Sequence, residues 1–360
     1  MNRKQFLLLV TLACLAGSAG FWVWQSNHES WQTNGSAMGS KVLPGLAINE
    51  VARMTLQSGT NVLELVRQDN VWQVRQRSGY PANFQQLSDV LMKLSNLKIV
   101  QSQMVGPSQL GRFDLLPPGT NQDGGTLLSL QDSSGKNVAS LLLGKTHQHQ
   151  SPVGASQGFG DGSWPDGRYV LPGQSSAVAL VSDPLDSLQT APDQWLDKGF
   201  LSITRPASVS IQLPDATNDW KLDRVSDTND WVLASAQPGE KLDPAQVSSV
   251  TAPFSSSSFN DVAPLNAQGP DSLTNAVLTV KTFDGLLYVI HAGAVKDDNV
   301  PVSFEISATG TNAAEKLDGL KLYQHWVYLM PSYSVDEWLK SRRQLLVTQT
   351  NGVTADAASH

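Results

Sequence analysis

The chain has 360 residues, enough for two ordinary domains, of which 40% are hydrophobic and 16% charged. A formal net charge of −7 argues against a nucleic-acid partner, because phosphate contacts need clustered Lys and Arg. The single cysteine, Cys14, leaves no internal disulfide to be made, so stability must come from apolar cores.

Arg3 and Lys4 precede an uncharged stretch from Phe6 to Trp24. As a helix it would reach roughly 28 Å, close to the hydrocarbon thickness of a bilayer. Trp22 and Trp24 stand at its far end, where indoles favour the interface. Residues 1–24 therefore read as a transmembrane signal-anchor. The positive-inside rule leaves the N-terminus in the cytoplasm and exports the rest. Two alternatives stay open: cleavage after Ala19, which follows the small residues Gly17 and Ser18, and lipidation at Cys14. Residues 25–47 are mostly polar, with Gly35 and Gly39, and read as a flexible spacer of ~25 Å reach. Residues 348–360 read as a disordered tail.

Between spacer and tail the sequence is written twice, over 48–200 and, in degenerate form, over 201–347. In the first copy Met54 and Leu56, then Leu63 and Leu65, then Trp72 and Val74 alternate with polar residues. Gly59 and Asp69-Asn70 supply the turns, which predicts an antiparallel meander with one buried face. Pro81 opens a helix whose Phe84, Leu87, Val90, Leu91, Leu94 and Leu97 recur at helical spacing. Strand pairs follow at Leu127–Leu130 with Val138–Leu143, and at Tyr169–Leu171 with Val178–Val181. Pro192 begins a short closing helix with Trp195 and Leu196.

The second copy keeps this order. Val209, Ile211 and Leu213 lead to Trp220 and Leu222, then to Trp231 and Leu233. Asp243 and Pro244 cap a short helix with Val247 and Val250. Val277–Val280 and Leu286–Ile290 flank the turn Asp284-Gly285. Val302–Ile306 and Trp326–Met330 complete the strands, and a closing helix carries Trp338 and Leu339. The expected fold is α+β: two tandem similar lobes, each a mainly antiparallel sheet with a covering helix. Trp72 and Trp231 are expected at matching buried positions, as are Trp195 and Trp338.

No motif survives its context. Gly154-Ala155-Ser156-Gln157-Gly158 has the spacing of a serine-hydrolase elbow but lies in a Gly-rich loop, without the strand and helix that strain the serine into exposure. Gly144-Lys145-Thr146 resembles the end of a phosphate loop, yet Ser140–Leu143 before it reads as strand. His147 and His149 fall on one face of a strand without a third zinc ligand near in sequence. Asp161, Ser163 and Asp166 fit no calcium loop. Lys340, Arg342 and Arg343 form a basic cluster after the last helix, where cations favour the dipole. No catalytic, cofactor-binding or metal-binding residue is expected, and the chain reads as no enzyme.

Trp72-Gln73-Val74, Tyr80-Pro81-Ala82 and Phe113-Asp114-Leu115-Leu116-Pro117 resemble, in order, the bacterial domain of unknown function 4340 family. So do Leu141-Leu142-Leu143-Gly144, Gly167-Arg168-Tyr169-Val170 and Trp195-Leu196, while Leu116-Pro117-Pro118 departs from the family's Gly-Leu-x-x-Pro. The resemblance implies a membrane-anchored envelope protein. For some members it further implies an association with ABC transporters similar to those of gliding motility, beside which they are encoded. The expected function is a non-catalytic periplasmic accessory or scaffold subunit on the bacterial inner membrane. Its expected partners are an envelope complex, with ABC transporter permease subunits as candidates. The alternative is a periplasmic module that binds glycan or lipid in a cleft between the lobes. A serine hydrolase built on Ser156 is more remote.

Overall fold

The computed structural model describes residues 38–119, 124–149, 164–173, 175–265, 273–309 and 311–347. The expected anchor 1–24, spacer residues 25–37 and the tail 348–360 lie outside the described residues. Among the described residues no helix is long and apolar enough to cross a membrane. The chain divides between Leu196 and Asp197 into two compact units.

The first unit contains β1 (Arg53–Ser58), β2 (Asn61–Gln68), β3 (Val71–Val74) and β4 (Tyr80–Pro81), then helix α1 (Phe84–Asn96) and β5 (Ile99–Met104). It ends with β6 (Thr126–Gln131), β7 (Asn137–His149), β8 (Trp164–Pro172) and β9 (Ala177–Val181). Among the described residues these form one antiparallel sheet in the order β4-β3-β2-β1-β6-β7-β8-β9-β5. Alternation sets the register. Met54 stands opposite Leu65 and Leu56 opposite Leu63, and all four are fully buried. Asp69 and Asn70 both adopt positive φ, the backbone a two-residue hairpin needs to match strand twist.

Helix α1 starts where the Asn83 side chain accepts the Gln86 N–H at 3.1 Å. It buries Leu87, Val90, Leu91 and Leu94. Phe84, expected on that face, is 66% exposed. Helical side chains lean toward the N-terminus, so the first residue projects past the end of the helix. Residues 38–47, expected as the end of the spacer, are tied down. Gly39 N–H donates to Ile99 O at 2.8 Å, Ile99 N–H donates to Ser40 O at 2.9 Å, and Val42 and Leu43 are buried.

The second unit contains β10 (Pro206–Gln212), β11 (Trp220–Asp223), β12 (Val232–Leu233), helix α2 (Pro244–Thr251) and β13 (Asp261–Pro264). β14 (Ala276–Thr282), β15 (Leu286–Ala292), β16 (Asn299–Ala308), α3 (Thr311–Leu320), β17 (Trp326–Pro331) and α4 (Ser332–Asp336) follow. Its antiparallel order is β12-β11-β10-β14-β15-β16-β17-β13. That order repeats the first unit strand for strand, with β4 missing. Both units are thus mainly antiparallel sheet with few helices. Phe200, expected in the first lobe, belongs to the aromatic core of the second unit, with ring centroids 5.0 Å from Phe259 and 4.6 Å from Tyr328.

Register identifies the true counterparts. Leu65 pairs with Val74 and Leu222 with Leu233, which sets Trp72 against Trp231. Trp72 is buried, but Trp231 is only half-buried. Near the ends, antiparallel bridges join Ala82 to Leu196 and Leu242 to Leu346. Asn83 N–H donates to Trp195 O at 2.8 Å, and Asp243 N–H donates to Leu345 O at 2.9 Å. Trp195 therefore corresponds to Leu345, not to Trp338. Each closes a single 3-10 turn, Pro192–Trp195 and Arg342–Leu345. Trp338 corresponds to Leu188, the same distance beyond the last strand, and both are buried. The similar strings around Trp195 and Trp338 sit on different turns.

Trp72→Ala should cost about 3–5 kcal/mol, the range for an emptied aromatic core site. Trp231→Ala should cost about 1 kcal/mol, mostly its stacking with a cation. Urea unfolding of the full-length variants checks this. Equal losses would contradict the different burial of the two indoles.

Candidate functional site

A cavity of about 620 Å³ opens in the second unit. Trp231, Val232 and Leu233 line it, as do Glu240, Lys241 and Leu242 and the α2 residues Pro244, Val247, Ser248 and Thr251. Its origin is legible from the first unit. The helix caps Asn83 and Asp243 set Tyr80-Pro81-Ala82 against Glu240-Lys241-Leu242. In the first unit Tyr80 and Pro81 pair with β3 as strand β4, and Tyr80 is buried. In the second, Glu240 stands at the place of the tyrosine, and among the described residues β12 pairs with β11 alone. The same caps set Leu91 against Thr251, which trims the helix side of the space further.

Glu240 is drawn to a cation. Arg342 Nε donates to its Oε1 at 3.1 Å and Arg342 Nη2 to its Oε2 at 2.6 Å. Gln237 N–H donates to Oε2 at 2.7 Å. The Arg342 guanidinium first, and the Gln237 amide second, hold the Glu240 carboxyl below its ordinary range. Across the cavity Arg224 lies over the Trp231 ring, 4.7 Å from its centroid. Its Nε donates to Pro206 O at 2.7 Å and one Nη to Asp227 O at 2.9 Å. The walls are therefore mixed: one indole, several aliphatic side chains, and charged groups of which Glu240 and Arg224 are engaged with protein groups.

Two of the basic residues after the last helix make contacts across the unit. Arg342 holds Glu240, and Lys340 Nζ donates to Gln246 Oε1 at 3.0 Å and Ser249 Oγ at 2.6 Å on α2. Both fix the elements around the cavity.

The remaining motif residues fall elsewhere. Ser156, Asp161 and Ser163 lie outside the described residues. Lys145 sits within strand β7, and Gly144 has a structural reason: a Cβ there would strike the Phe113 carbonyl oxygen and the Leu115 side chain. Gly167 is likewise pressed against Val181 O. His147 Nδ1 lies 2.6 Å from Asp166 Oδ1, and His149 Nδ1 lies 3.5 Å from Asp166 Oδ2. That hydrogen bond from His147 is the leading cause holding the Asp166 carboxyl low. His149 stacks on Trp164 with ring centroids 4.9 Å apart. Among the described residues no group of three or more His, Cys, Asp or Glu is placed to hold a metal ion.

The glycines, the closing turn and the Trp72–Ala82 pairing carry the family motifs noted in the sequence, and the family model described as Domain of unknown function (DUF4340) matches residues 72–276. The chain belongs to the DUF4340 family. The match begins at Trp72 on β3 and ends at Ala276 on β14, so it crosses the division between the units. No curated protein matches the chain. Within this DUF4340 chain the quoted motifs serve packing: Arg168 Nε donates to Gly144 O at 2.8 Å, and Leu115 is fully buried.

The cavity was not expected from the sequence, where Trp231 reads as a core anchor. The available signal was the exchange of Tyr80 for Glu240 at a fixed distance from a helix cap.

Arg342→Ala should return the Glu240 carboxyl toward 4.5, its ordinary value. A depressed carboxylate contributes stability above its unfolded pKa and loses it as pH falls through the folded one. The stability gap between wild type and Arg342→Ala should therefore be full at neutral pH, begin to narrow as pH falls past 4.5 and shrink further as it falls through the lowered folded value. Urea unfolding across pH checks this, and a gap that widened in acid would refute the assignment.

Proposed function

We propose that the chain is a non-catalytic, membrane-anchored accessory or scaffold subunit of a bacterial envelope complex. In this reading the uncharged stretch Phe6–Trp24 crosses the inner membrane once, behind the basic pair Arg3 and Lys4. The N-terminus stays in the cytoplasm and both units stand in the periplasm. The partner is a membrane complex, with ABC transporter permease subunits the candidates that the family likeness supplies. The observation that carries the reading is the open edge of β12, where, among the described residues, the second sheet lacks a counterpart of the end strand β4. A sheet edge of this kind is suited to contact, because it offers main-chain donors and acceptors to another chain.

A periplasmic ligand-binding module for glycan or lipid is the second reading. The cavity beside Trp231 supports it, since pockets of roughly 300–1,000 Å³ suit small ligands.

Complementation of a deletion strain separates contact from catalysis. Ser156→Ala, His147→Ala and His149→Ala combined should leave function intact. Replacing residues 5–24 with a cleavable signal should abolish function, because tethering supplies the effective concentration near a membrane partner. Loss of function in the triple variant at normal protein level would sink the proposal. So would full function of the untethered form, or a mature N-terminus at Gly20.

A further inference from the structure

We infer that the cavity of the second unit receives an extended segment of a partner protein, which joins the sheet as the strand beside β12 and seats an aromatic side chain where the first unit seats Tyr80. This rests on the reading of the chain as a contact subunit and names the class of partner surface.

The first unit displays the filled form of the same place. Its β4 pairs antiparallel with β3, Gln73 against Pro81 and Val74 against Tyr80. Ala82 N–H donates to Trp72 O at 2.7 Å, so alternate amides, those of Tyr80 and Ala82, turn toward β3. Pro81 falls between them, where no N–H is needed.

The second unit displays the same edge without its strand. Ala234 N–H donates to Lys221 O at 2.8 Å, which turns the main chain of Val232 and Ala234 toward β11. Leu233 and Trp231 then present their N–H and C=O groups to the open side, and among the described residues no strand pairs there. Residues Glu240, Lys241 and Leu242, which would supply the strand, instead line the cavity beyond it. Glu240 is held by Arg342, whereas the bridge of Leu242 to Leu346 is common to both units, since Ala82 bridges Leu196 in the same way. Two other sheet ends carry features of their own: Ile99 of β5 bonds to Ser40, and β13 ends in Pro264. The occupant is a peptide strand and not a sugar, because the unused groups are main-chain groups in strand register.

The probe is a fluorescent peptide with the sequence of residues 78–83, Ser-Gly-Tyr-Pro-Ala-Asn, titrated against the full chain in detergent by anisotropy. Saturable binding is expected. N-methylation of the Ala amide should weaken it about tenfold or more, because that N–H faces β12, whereas N-methylation of the Asn amide should change it little. Glu240→Tyr should also weaken it about tenfold, because the chain's own aromatic then fills the place. The two methylated peptides keep the test independent of how that variant folds. No saturable binding, equal affinity of both methylated peptides, or displacement only by a neutral oligosaccharide would overturn the inference. The peptide measurement involves no membrane, so it fails or succeeds apart from the anchor-replacement experiment.

Discussion

Two short antiparallel bridges, Ala82 with Leu196 and Leu242 with Leu346, hold each unit in its form. Each ties the last residues of a unit to the residue just ahead of its helix cap. The cap's own N–H is thereby satisfied by the carbonyl of Trp195 or Leu345. Helix start, closing turn and sheet edge are fixed together. Moving the bridge would misplace the helix and everything that it buries.

On that common frame the two copies have diverged at a few positions with large effects. Where the first has buried Tyr80, the second has Glu240 bonded to Arg342. A carboxylate cannot lie where an uncharged ring lies without a partner, since an unpaired buried charge is costly. The arginine supplies that partner, and among the described residues no strand matches β4 there. The cavity, the half-buried Trp231 and the open edge of β12 all follow from that exchange. Lys340, bonded to α2, holds the opposite wall.

Much of the fold was legible in the sequence because alternation with period two is strong in both copies. The meanders, the cap at Asp243 and the duplication itself were read from residues such as Met54, Leu56, Val209 and Ile211. Strand β5 was not, because Ile99–Met104 carries Gln101, Ser102 and Gln103 and its partner β9 is remote in sequence. Trp338 resembles Trp195 only in its local string, whereas register depends on main-chain pairing that the string does not encode. The site was hidden for a related reason. Trp231 looks like Trp72 in sequence, and only the fate of the segment around Glu240 distinguishes a core anchor from a cavity wall.

The pairing of β5 with β9, and of β13 with β17, also bears on how the chain acquires its shape. Each of these edge strands is synthesised long before the strand that covers it. Non-local pairing of this kind slows folding, and during the delay an unpaired edge can take the wrong partner. A tandem duplication makes the nearest wrong partner its own other copy. Here the copies defend themselves by the kind of side chain they bury. β9 is Ala-Val-Ala-Leu-Val and buries only aliphatic side chains, whereas β17 buries Trp326 and Tyr328, the latter packed with Phe200, Phe259 and Phe304. A strand exchanged between copies would overfill one core and leave a hole in the other, so the drift between the two halves keeps each half folding with itself.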